Sequence, residues 1–345
     1  MNSYSSSLVL AAMSPSSPPP IQGWIAHEST LQLTNLGKTA SLEPDEVRIK
    51  VHTSGINRAD LAQVAGFYPP PPGASSVLGL ECSGWIVERG AAVSHLPLGQ
   101  PVCALLSGGG YAQELICPAG QAVPIPDGMD LVTAGALPEI FATAFFNLCM
   151  QGQMRAGDRV LIHAGGSGVG TAAIQLCQLI GASCFVTASS ESKIAKCRQL
   201  KADGGAIRTQ NWVDQVKNWS PNGIDIILDP VGGSYFEQNQ SLLAADGRTI
   251  IIGLMGGAHA KIRLSDLLIK RQKIIGSTLR AQPVAKKTEI MNQLVTEIWP
   301  ALTTGTIKPV IDRIFPWHQA AEAHAYMASN QSMGKILLDW PENRP

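Results

Sequence analysis

The chain has 345 residues, with 26 Lys and Arg against 26 Asp and Glu, so its formal net charge is zero. A protein whose main partner is a nucleic acid usually carries a basic surplus, so this balance argues against that class of partner. Hydrophobic residues make up 45% of the chain, which excludes disorder, and 34 glycines and 23 prolines without a collagen-like repeat indicate many tight turns.

The N-terminal segment carries no charged side chain before Glu28. It lacks the basic start of a secretory signal and the arginines of a mitochondrial transit peptide, and its Ser/Pro tract predicts a flexible tail over residues 1–20. The 7 cysteines include no C-x-x-C pair, which favours reduced thiols and a cytoplasmic protein. No apolar run reaches the ~18 residues that span a bilayer, so no membrane partner is expected.

Residues 21–137 show the pattern of a β unit. Short apolar runs at 47–51, 84–87 and 101–105 are separated by glycines and prolines. Runs of this length at this spacing are typical of short strands in a barrel-like fold. We therefore expect an all-β unit that ends near residue 137.

The pattern changes at residue 138, where apolar strands begin to alternate with helices. Strands are predicted at 160–164, 183–187, 224–228, 248–252 and 274–279, and helices at 169–180, 192–200 and 236–243. Such alternation predicts a doubly wound parallel sheet covered on both faces, and hence an α/β fold class. Residues 281–345, with a helix ending near 302, a strand at 307–314, a helix at 317–329 and a strand at 335–340, are expected to return to the first unit.

A glycine-rich loop, Gly165-Gly166-Ser167-Gly168-Val169-Gly170, lies directly between a predicted strand and a predicted helix. In a dinucleotide-binding fold, glycines at this place allow a tight turn, so that backbone N–H groups and the helix N-terminus meet a pyrophosphate. Because Ser167 replaces the middle glycine of G-x-G-x-x-G, the motif is imperfect, and a turn that binds nothing is the alternative. Its position after the strand and before the helix favours a nicotinamide cofactor.

The end of the next strand bears on the choice between NAD and NADP. An NAD site needs an acidic side chain there, whereas this stretch offers Ser189, Ser190 and Lys193, which suit a 2′-phosphate. Glu191 would repel that phosphate unless it faces solvent in the first turn of the helix. Lys193 is alternatively an ordinary exposed helix lysine. We predict NADPH as the cofactor.

Several separated motifs resemble one protein family. They are GINRAD at 55–60, the proline-rich loop after Tyr68, LGLE at 78–81, the glycine loop with its flanks at 161–176, and GK at 334–335. With these motifs the chain resembles the zinc-free quinone oxidoreductases of the medium-chain dehydrogenase/reductase superfamily, nearest to the tumour-suppressor-inducible branch. The resemblance implies a GroES-like β-barrel catalytic domain over 21–137 and a Rossmann domain over 138–280, with 281–345 returning to the catalytic domain. It also implies an active site in the cleft and assembly as a homodimer or homotetramer.

The resemblance implies the site residues as well. Asn57 and Tyr68 would lie near the nicotinamide and the acceptor, as the catalytic residues. Arg208 stands where the family has a tyrosine beside the adenosine phosphate, so it either adds a second positive charge there or faces water. The remaining residues implied to contact the cofactor are Thr143, Ser167, Gly168, Val169, Gly170, Gly253, Leu254, Met255, Thr278, Leu279 and Arg280.

No metal site is expected. Zinc-dependent relatives bind a catalytic zinc with Cys, His and Cys at positions that match Asn57, Leu80 and Glu139. None of the three is a Cys or a His here, and Glu81 alone cannot hold a zinc, which needs about three protein ligands. We therefore expect catalysis to rest on positioning and on dipoles, with no metal.

The predicted reaction is hydride transfer from NADPH to a conjugated acceptor such as a quinone. The Tyr68 hydroxyl and the Asn57 amide would donate hydrogen bonds to the anion that forms, although Tyr68 alternatively packs on the proline-rich loop. A reductase of enone or alkenal double bonds is the first alternative. A low-turnover NADPH-binding structural or regulatory protein is the second. The glycine loop does not separate these three functions, because all three bind the nucleotide.

Overall fold

The computed structural model of the protein describes residues 21–37 and 40–340. The tail predicted over residues 1–20 lies outside the described residues. Across the described part, no helix is both long and apolar enough to cross a membrane.

The first unit is built mainly from antiparallel strands. The strands are β1 (Ile21–His27), β2 (Thr30–Gly37), β3 (Glu46–Ile56), β4 (Glu81–Arg89), β5 (Pro101–Leu105), β6 (Glu114–Pro118), β7 (Ala122–Pro124) and, from the C-terminal segment, β14 (Ile311–Pro316) and β15 (Lys335–Asp339). β1 and β2 form a hairpin, and the main sheet has the order β14-β15-β3-β4-β5-β7, with β6 also paired to β3. The last strand belongs to this sheet because β15 pairs antiparallel with β3, with Ile336 opposite Ile56.

The second unit contains a six-stranded parallel sheet. Its strands are β8 (Arg159–Ile162), β9 (Ser183–Ala188), β10 (Gly204–Ile207), β11 (Ile224–Asp229), β12 (Leu243–Ile251) and β13 (Lys273–Gly276). They are arranged as β10-β9-β8-β11-β12-β13, all parallel, which is the order of a dinucleotide-binding sheet. The predicted α/β fold class, a barrel-like β unit with a doubly wound parallel sheet, is confirmed.

Helices cover both units. They are α1 (Arg58–Val64), α2 (Leu131–Ala134), α3 (Pro138–Phe145), α4 (Gly168–Ile180), α5 (Glu191–Gln199), α6 (Trp212–Trp219), α7 (Gly233–Leu242), α8 (Leu264–Ile269), α9 (Val284–Glu297), α10 (Trp299–Thr303) and α11 (Ala320–Ala328). The single helix predicted to end near 302 is two helices, because the chain turns at Ile298 and Pro300 takes an early position of α10, where its missing N–H costs nothing.

One hydrophobic core joins the two units. Phe141 on α3 is fully buried in a cluster that contains Leu105 from the first sheet, Ile162 and Ala172 from the second unit, and Leu294 from α9. Side chains packed at the density of an interior leave little room for the units to shift. The relative position of the two units is therefore set by this packing.

Candidate active site

The glycine loop is closed by contacts that only glycine permits. A Cβ added at Gly170 would lie 2.5 Å from the Ala164 carbonyl oxygen, and one at Gly165 would lie 2.6 Å from the Val186 Cβ. Ser167 is the N-cap of α4, and its Oγ accepts a hydrogen bond from the Gly170 N–H at 3.0 Å. The predicted loop therefore opens a 13-residue helix, whose N-terminus favours an anion.

The C-terminal segment lies directly on this loop. The Gly334 N–H donates to the Gly166 carbonyl at 2.9 Å, and Ser167 forms a parallel bridge with Gly334. Gly334 has a φ of 89°, and a Cβ there would lie 2.2 Å from the Val310 carbonyl oxygen. Only glycine fits this backbone position. The next residue, Lys335, thereby starts from a fixed point beside the loop.

Lys335 carries its charge into the interior of the protein. Its Nζ lies 2.5 Å from Glu81 Oε1, and it donates to the Ile56 carbonyl at 2.8 Å and to Asn57 Oδ1 at 2.7 Å. Lys335 and Glu81 are 2% and 0% exposed. All three ammonium protons have acceptors, as a buried charge requires.

Asn57 is held within this network. Its Nδ2 donates to Glu81 Oε1 at 3.0 Å and to the Gly55 carbonyl at 3.3 Å, while its Oδ1 accepts from Lys335. A Cβ at Gly55 would lie 2.1 Å from Glu81 Oε1, so the carboxylate fits only beside a glycine. Both polar atoms of the Asn57 amide are thus occupied by protein groups, and its hydrogen bond to an acceptor stays a prediction.

Glu139 lies in the first turn of α3, on the other side of Glu81. Its backbone N–H donates to Glu81 Oε2 at 2.9 Å, and Thr143 Oγ1 donates to Glu139 Oε1 at 3.4 Å. Glu139 Oε2 is buried and has no hydrogen-bond partner among the described residues. Burial, followed by the charge of Glu81, raises the pKa of Glu139 to about 8, against the opposing charges of Lys335 and Lys287. Thr143, predicted to contact the cofactor, is therefore hydrogen-bonded to a carboxyl that is largely protonated at neutral pH.

Arg280 contacts both the backbone and the ring of Tyr68. Its Nη1 donates to the Tyr68 carbonyl at 3.0 Å, its Nε to the Ser107 carbonyl at 2.8 Å, and its Nη2 to Gln63 Oε1 at 2.6 Å. The guanidinium carbon also lies 5.3 Å from the centre of the Tyr68 ring. Burial, and then the charge of Glu139, raises the pKa of Tyr68, so the hydroxyl keeps its proton. Because no described residue hydrogen-bonds this hydroxyl, it is available to a ligand, whereas the Arg280 guanidinium is occupied by the protein.

The residues predicted to contact the adenosine phosphate lie beyond the end of β9. Ser190 caps α5 by accepting from the Lys193 N–H at 3.3 Å, and Ser189 is exposed. Lys193 Nζ donates to the Asn330 carbonyl at 2.7 Å. The Arg208 N–H donates to the Ala188 carbonyl at 2.8 Å, which places Arg208 beside the end of β9.

The other predicted cofactor residues follow the ends of β12 and β13. Gly253, Leu254 and Met255 come after β12, and Leu254 and Met255 are exposed. Thr278 comes after β13 and is exposed, whereas the neighbouring Leu279 is buried. Because the strands are parallel, all of these residues share the carboxyl edge of the sheet with the glycine loop, where ligands bind in such folds. Their contacts with a cofactor stay predictions.

Comparisons with known proteins agree with this architecture. Residues 43–127 match the family described as the alcohol dehydrogenase GroES-like domain, and residues 168–297 match the family described as zinc-binding dehydrogenase. The rat synaptic vesicle membrane protein VAT-1 homolog is 31% identical over 86% of this chain and 77% of its own length. The chain belongs to the medium-chain dehydrogenase/reductase superfamily.

Solved structures of this superfamily superpose over almost the whole chain. The quinone oxidoreductase of Thermus thermophilus, solved also in complex with NADPH, has 26% identity and a TM-score of 0.78, covering 92% of this chain and 100% of its own. The CurK enoyl reductase has 26% identity and a TM-score of 0.80, covering 93% of this chain and 99% of its own. The predicted resemblance to a quinone-oxidoreductase-like member of the superfamily is confirmed.

The donor set at the zinc position of the superfamily does not suit a zinc. Leu80 is apolar and buried, Asn57 binds Lys335, and the Lys335 ammonium lies between Asn57 Oδ1 and Glu81 Oε1. Zinc in such a site needs about three Cys, His or carboxylate ligands. Across residues 21–37 and 40–340, no group of three or more such side chains is placed to hold a metal ion.

Sequence reasoning placed Lys335 and Arg58 in the motifs GK and GINRAD but gave neither side chain a role. A lysine at the start of an apolar strand was the available signal for Lys335, because a buried lysine is rare unless it is paired. Arg58 follows Asn57 directly and reaches Asn330 with its guanidinium. Nothing in its local pattern distinguishes it from an exposed helix arginine.

Proposed function

We propose that the protein is an NADPH-dependent reductase that transfers hydride to a quinone without a metal. The observation that carries the proposal is the unpartnered Tyr68 hydroxyl beside a cleft in which the Lys335–Glu81 ion pair takes the place of a zinc centre. A cleft without a Lewis acid suits an acceptor that is already electrophilic, such as a conjugated ring.

In this reaction, different residues of the chain bind the cofactor, stabilise the developing charge and orient Asn57. When bound, NADPH supplies the hydride. The glycine loop and the N-terminus of α4 hold its pyrophosphate. Arg280 fixes the Tyr68 backbone, so that the hydroxyl meets the oxygen of the acceptor and stabilises the negative charge that develops there. The Lys335 network keeps Asn57 in one orientation at the same end of the cleft.

The choice of NADPH over NADH rests on charge. Lys193 and Arg208 lie beyond the end of β9, and no carboxylate of the described chain lies within ion-pair distance of either side chain. Glu191 is exposed in the first turn of α5, so its carboxylate is solvated, which is the condition under which a phosphate site beside it is tolerated. The complex of the similar Thermus quinone oxidoreductase with NADPH supports the same choice.

A reductase of enone double bonds is the second candidate. The similarity to the CurK enoyl reductase favours it, and the Tyr68 hydroxyl serves an enolate as well as a phenolate. The deciding experiment is NADPH oxidation by the purified protein with ortho-quinones, enones and simple aldehydes as acceptors. We expect quinones to react fastest and aldehydes not at all. Faster reduction of enones would favour the second candidate, and binding without turnover of any acceptor would favour a structural or regulatory protein.

We also propose that the protein works in the cytoplasm as a homo-oligomer. β13 is an edge strand of the parallel sheet, and α8 beside it exposes Leu264, Leu268 and Ile269, with Leu268 79% exposed. An apolar patch beside an open sheet edge favours association with a second copy. Light scattering of the intact protein should give twice or four times the chain mass, and Leu268→Glu should lower it. A monomeric wild type would exclude the assembly.

A further inference from the structure

Two cations from different units of the protein meet at one residue. Arg58 is the first residue of α1 in the first unit, and its Nη2 donates to the side-chain oxygen of Asn330. Lys193 on α5 of the second unit donates to the backbone oxygen of the same Asn330. Asn330 is neutral, so it orients both cations without cancelling the charge of either.

A third cation faces the same place. Arg208 lies next to the end of β9, and its charge lowers the pKa of Arg58, after burial as the larger cause. Burial also lowers the pKa of Lys193, and Arg58 and Arg208 lower it further. Arg58 and Lys193 share Asn330, and Arg208 at the end of β9 acts on both. Like charges held together are unfavourable unless an anion joins them.

One carboxylate, Asp312, acts on this group without forming an ion pair. Asp312 favours the charged form of Lys193, and its oxygens accept from the Tyr326 hydroxyl at 2.8 Å and from the Met333 N–H at 3.0 Å. Within residues 21–37 and 40–340, no carboxylate forms an ion pair with Arg58, Lys193 or Arg208. The unmatched charge is therefore a property of the site, which we call the basic corner (Arg58, Lys193, Arg208).

The basic corner lies along the expected path of the cofactor. A Cβ at Gly166 would lie 3.1 Å from Lys193 Cδ, so the lysine stem passes over the glycine loop. From that loop the adenosine of a dinucleotide extends to the end of the second strand, where Ser189 begins the connection to α5. A phosphate on the ribose at that point would meet all three cations.

We propose that Arg58 determines specificity for the 2′-phosphate of NADPH, so that the phosphate site is shared between the two units. The inference rests on the proposed function, because it concerns the same cofactor. The ligand class is a nucleotide with a phosphomonoester on the ribose 2′-oxygen. Since Asn57 precedes Arg58 directly, the adenosine end of the cofactor is then connected through α1 to the network beside the acceptor.

Equilibrium titration of Arg58→Ala with NADPH and with NADH tests the proposal. Loss of one charge-assisted contact should weaken NADPH binding by about 10- to 100-fold and leave NADH binding within about twofold. Lys193→Ala should behave in the same way, and Arg58→Lys should keep part of the preference. Arg89→Ala, which removes an exposed arginine of the same unit, is the matched control and should bind both cofactors as the wild type does.

Thermal shift with nucleotide fragments identifies the phosphate position. We expect 2′,5′-ADP to raise the melting temperature of the wild type more than 3′,5′-ADP or 5′-AMP, and to lose this advantage in Arg58→Ala. Equal effects of the 2′ and 3′ isomers would overturn the proposal, as would equal losses of NADPH and NADH in the variant. If the wild type itself prefers NADH, the cofactor choice of the proposed function fails. If the wild type prefers NADPH and Arg58→Ala keeps that preference, only the role of Arg58 fails.

Discussion

Lys335 Nζ lies 2.5 Å from Glu81 Oε1, and both side chains are buried. Their bond joins β15, which begins beside the glycine loop, to β4 of the first unit. Asn57 binds both charged groups, because its Nδ2 donates to Glu81 Oε1 and its Oδ1 accepts from Lys335 Nζ. The ion pair thus couples the expected cofactor site to the expected acceptor site.

Removing one charge of this ion pair should destabilise the folded protein far more than removing both charges. Lys335→Met leaves Glu81 as an uncompensated buried carboxylate, and we expect it to lower the free energy of unfolding by about 3–5 kcal/mol. The double variant Lys335→Met with Glu81→Gln removes both charges and should recover a large part of that loss. Urea denaturation of the two single variants and the double variant measures the coupling. Additive losses would show that the two charges act independently.

Activity should not depend on zinc. The side chains at the superfamily's zinc position do not form a zinc ligand set, and the Lys335 ammonium lies among them. Elemental analysis of the purified protein should find far less than one zinc per chain, and a chelator should leave NADPH oxidation unchanged. Stoichiometric zinc that is lost together with activity would refute this expectation.

Two glycines of the loop, Gly166 and Gly168, should differ in their tolerance of a side chain. A Cβ at Gly168 would lie 2.9 Å from both Ile140 Cγ2 and Lys335 Cδ, so Gly168→Val should disturb α3 and the Lys335 ion pair as well as the cofactor. At Gly166 the new atom would meet only the flexible stem of Lys193 at 3.1 Å. We expect Gly168→Val to lower the melting temperature and abolish NADPH binding, and Gly166→Ala to keep the wild-type melting temperature. Equal melting temperatures for Gly168→Val and the wild type would contradict this arrangement.

The parts of the site that the sequence predicts are local ones. The glycine loop follows β8 and opens α4 as expected, because turn, cap and helix are encoded in adjacent residues. The roles of Lys335 and Arg58 were not predicted because their partners are distant: Lys335 binds Ile56, 279 residues earlier, and Arg58 binds Asn330, 272 residues later. Such pairings depend on how β15 and α11 return to the first unit. Local patterns of hydrophobicity do not contain that information.

The pH dependence of stability should carry the signature of Glu139. Burial raises its pKa from 4.5 to about 8 in the folded protein. Between these values the folded state keeps a proton that the unfolded state releases, so this residue makes stability fall as the pH rises from about 5 to 8. Glu139→Gln removes the effect. The melting temperature of this variant, relative to that of the wild type, should therefore rise steadily across that pH range. The exposed Glu322→Gln is the control and should follow the wild type, and a constant offset for Glu139→Gln would contradict the raised pKa.

The Tyr68 hydroxyl should act mainly on the rate. In Tyr68→Phe the ring still packs against Arg280, which also holds the backbone of this residue, so the loop should keep its place. Loss of one hydrogen bond to the developing anion should lower kcat by roughly 10–100-fold and leave NADPH affinity near that of the wild type, because the contact strengthens in the transition state. Steady-state kinetics with an ortho-quinone, together with NADPH titration, measures both quantities. Thr296→Val removes an exposed hydroxyl that donates to the Asn292 carbonyl on α9 and serves as the control for a hydrogen bond lost elsewhere. An unchanged kcat in Tyr68→Phe would reduce Tyr68 to a packing residue of the proline-rich loop.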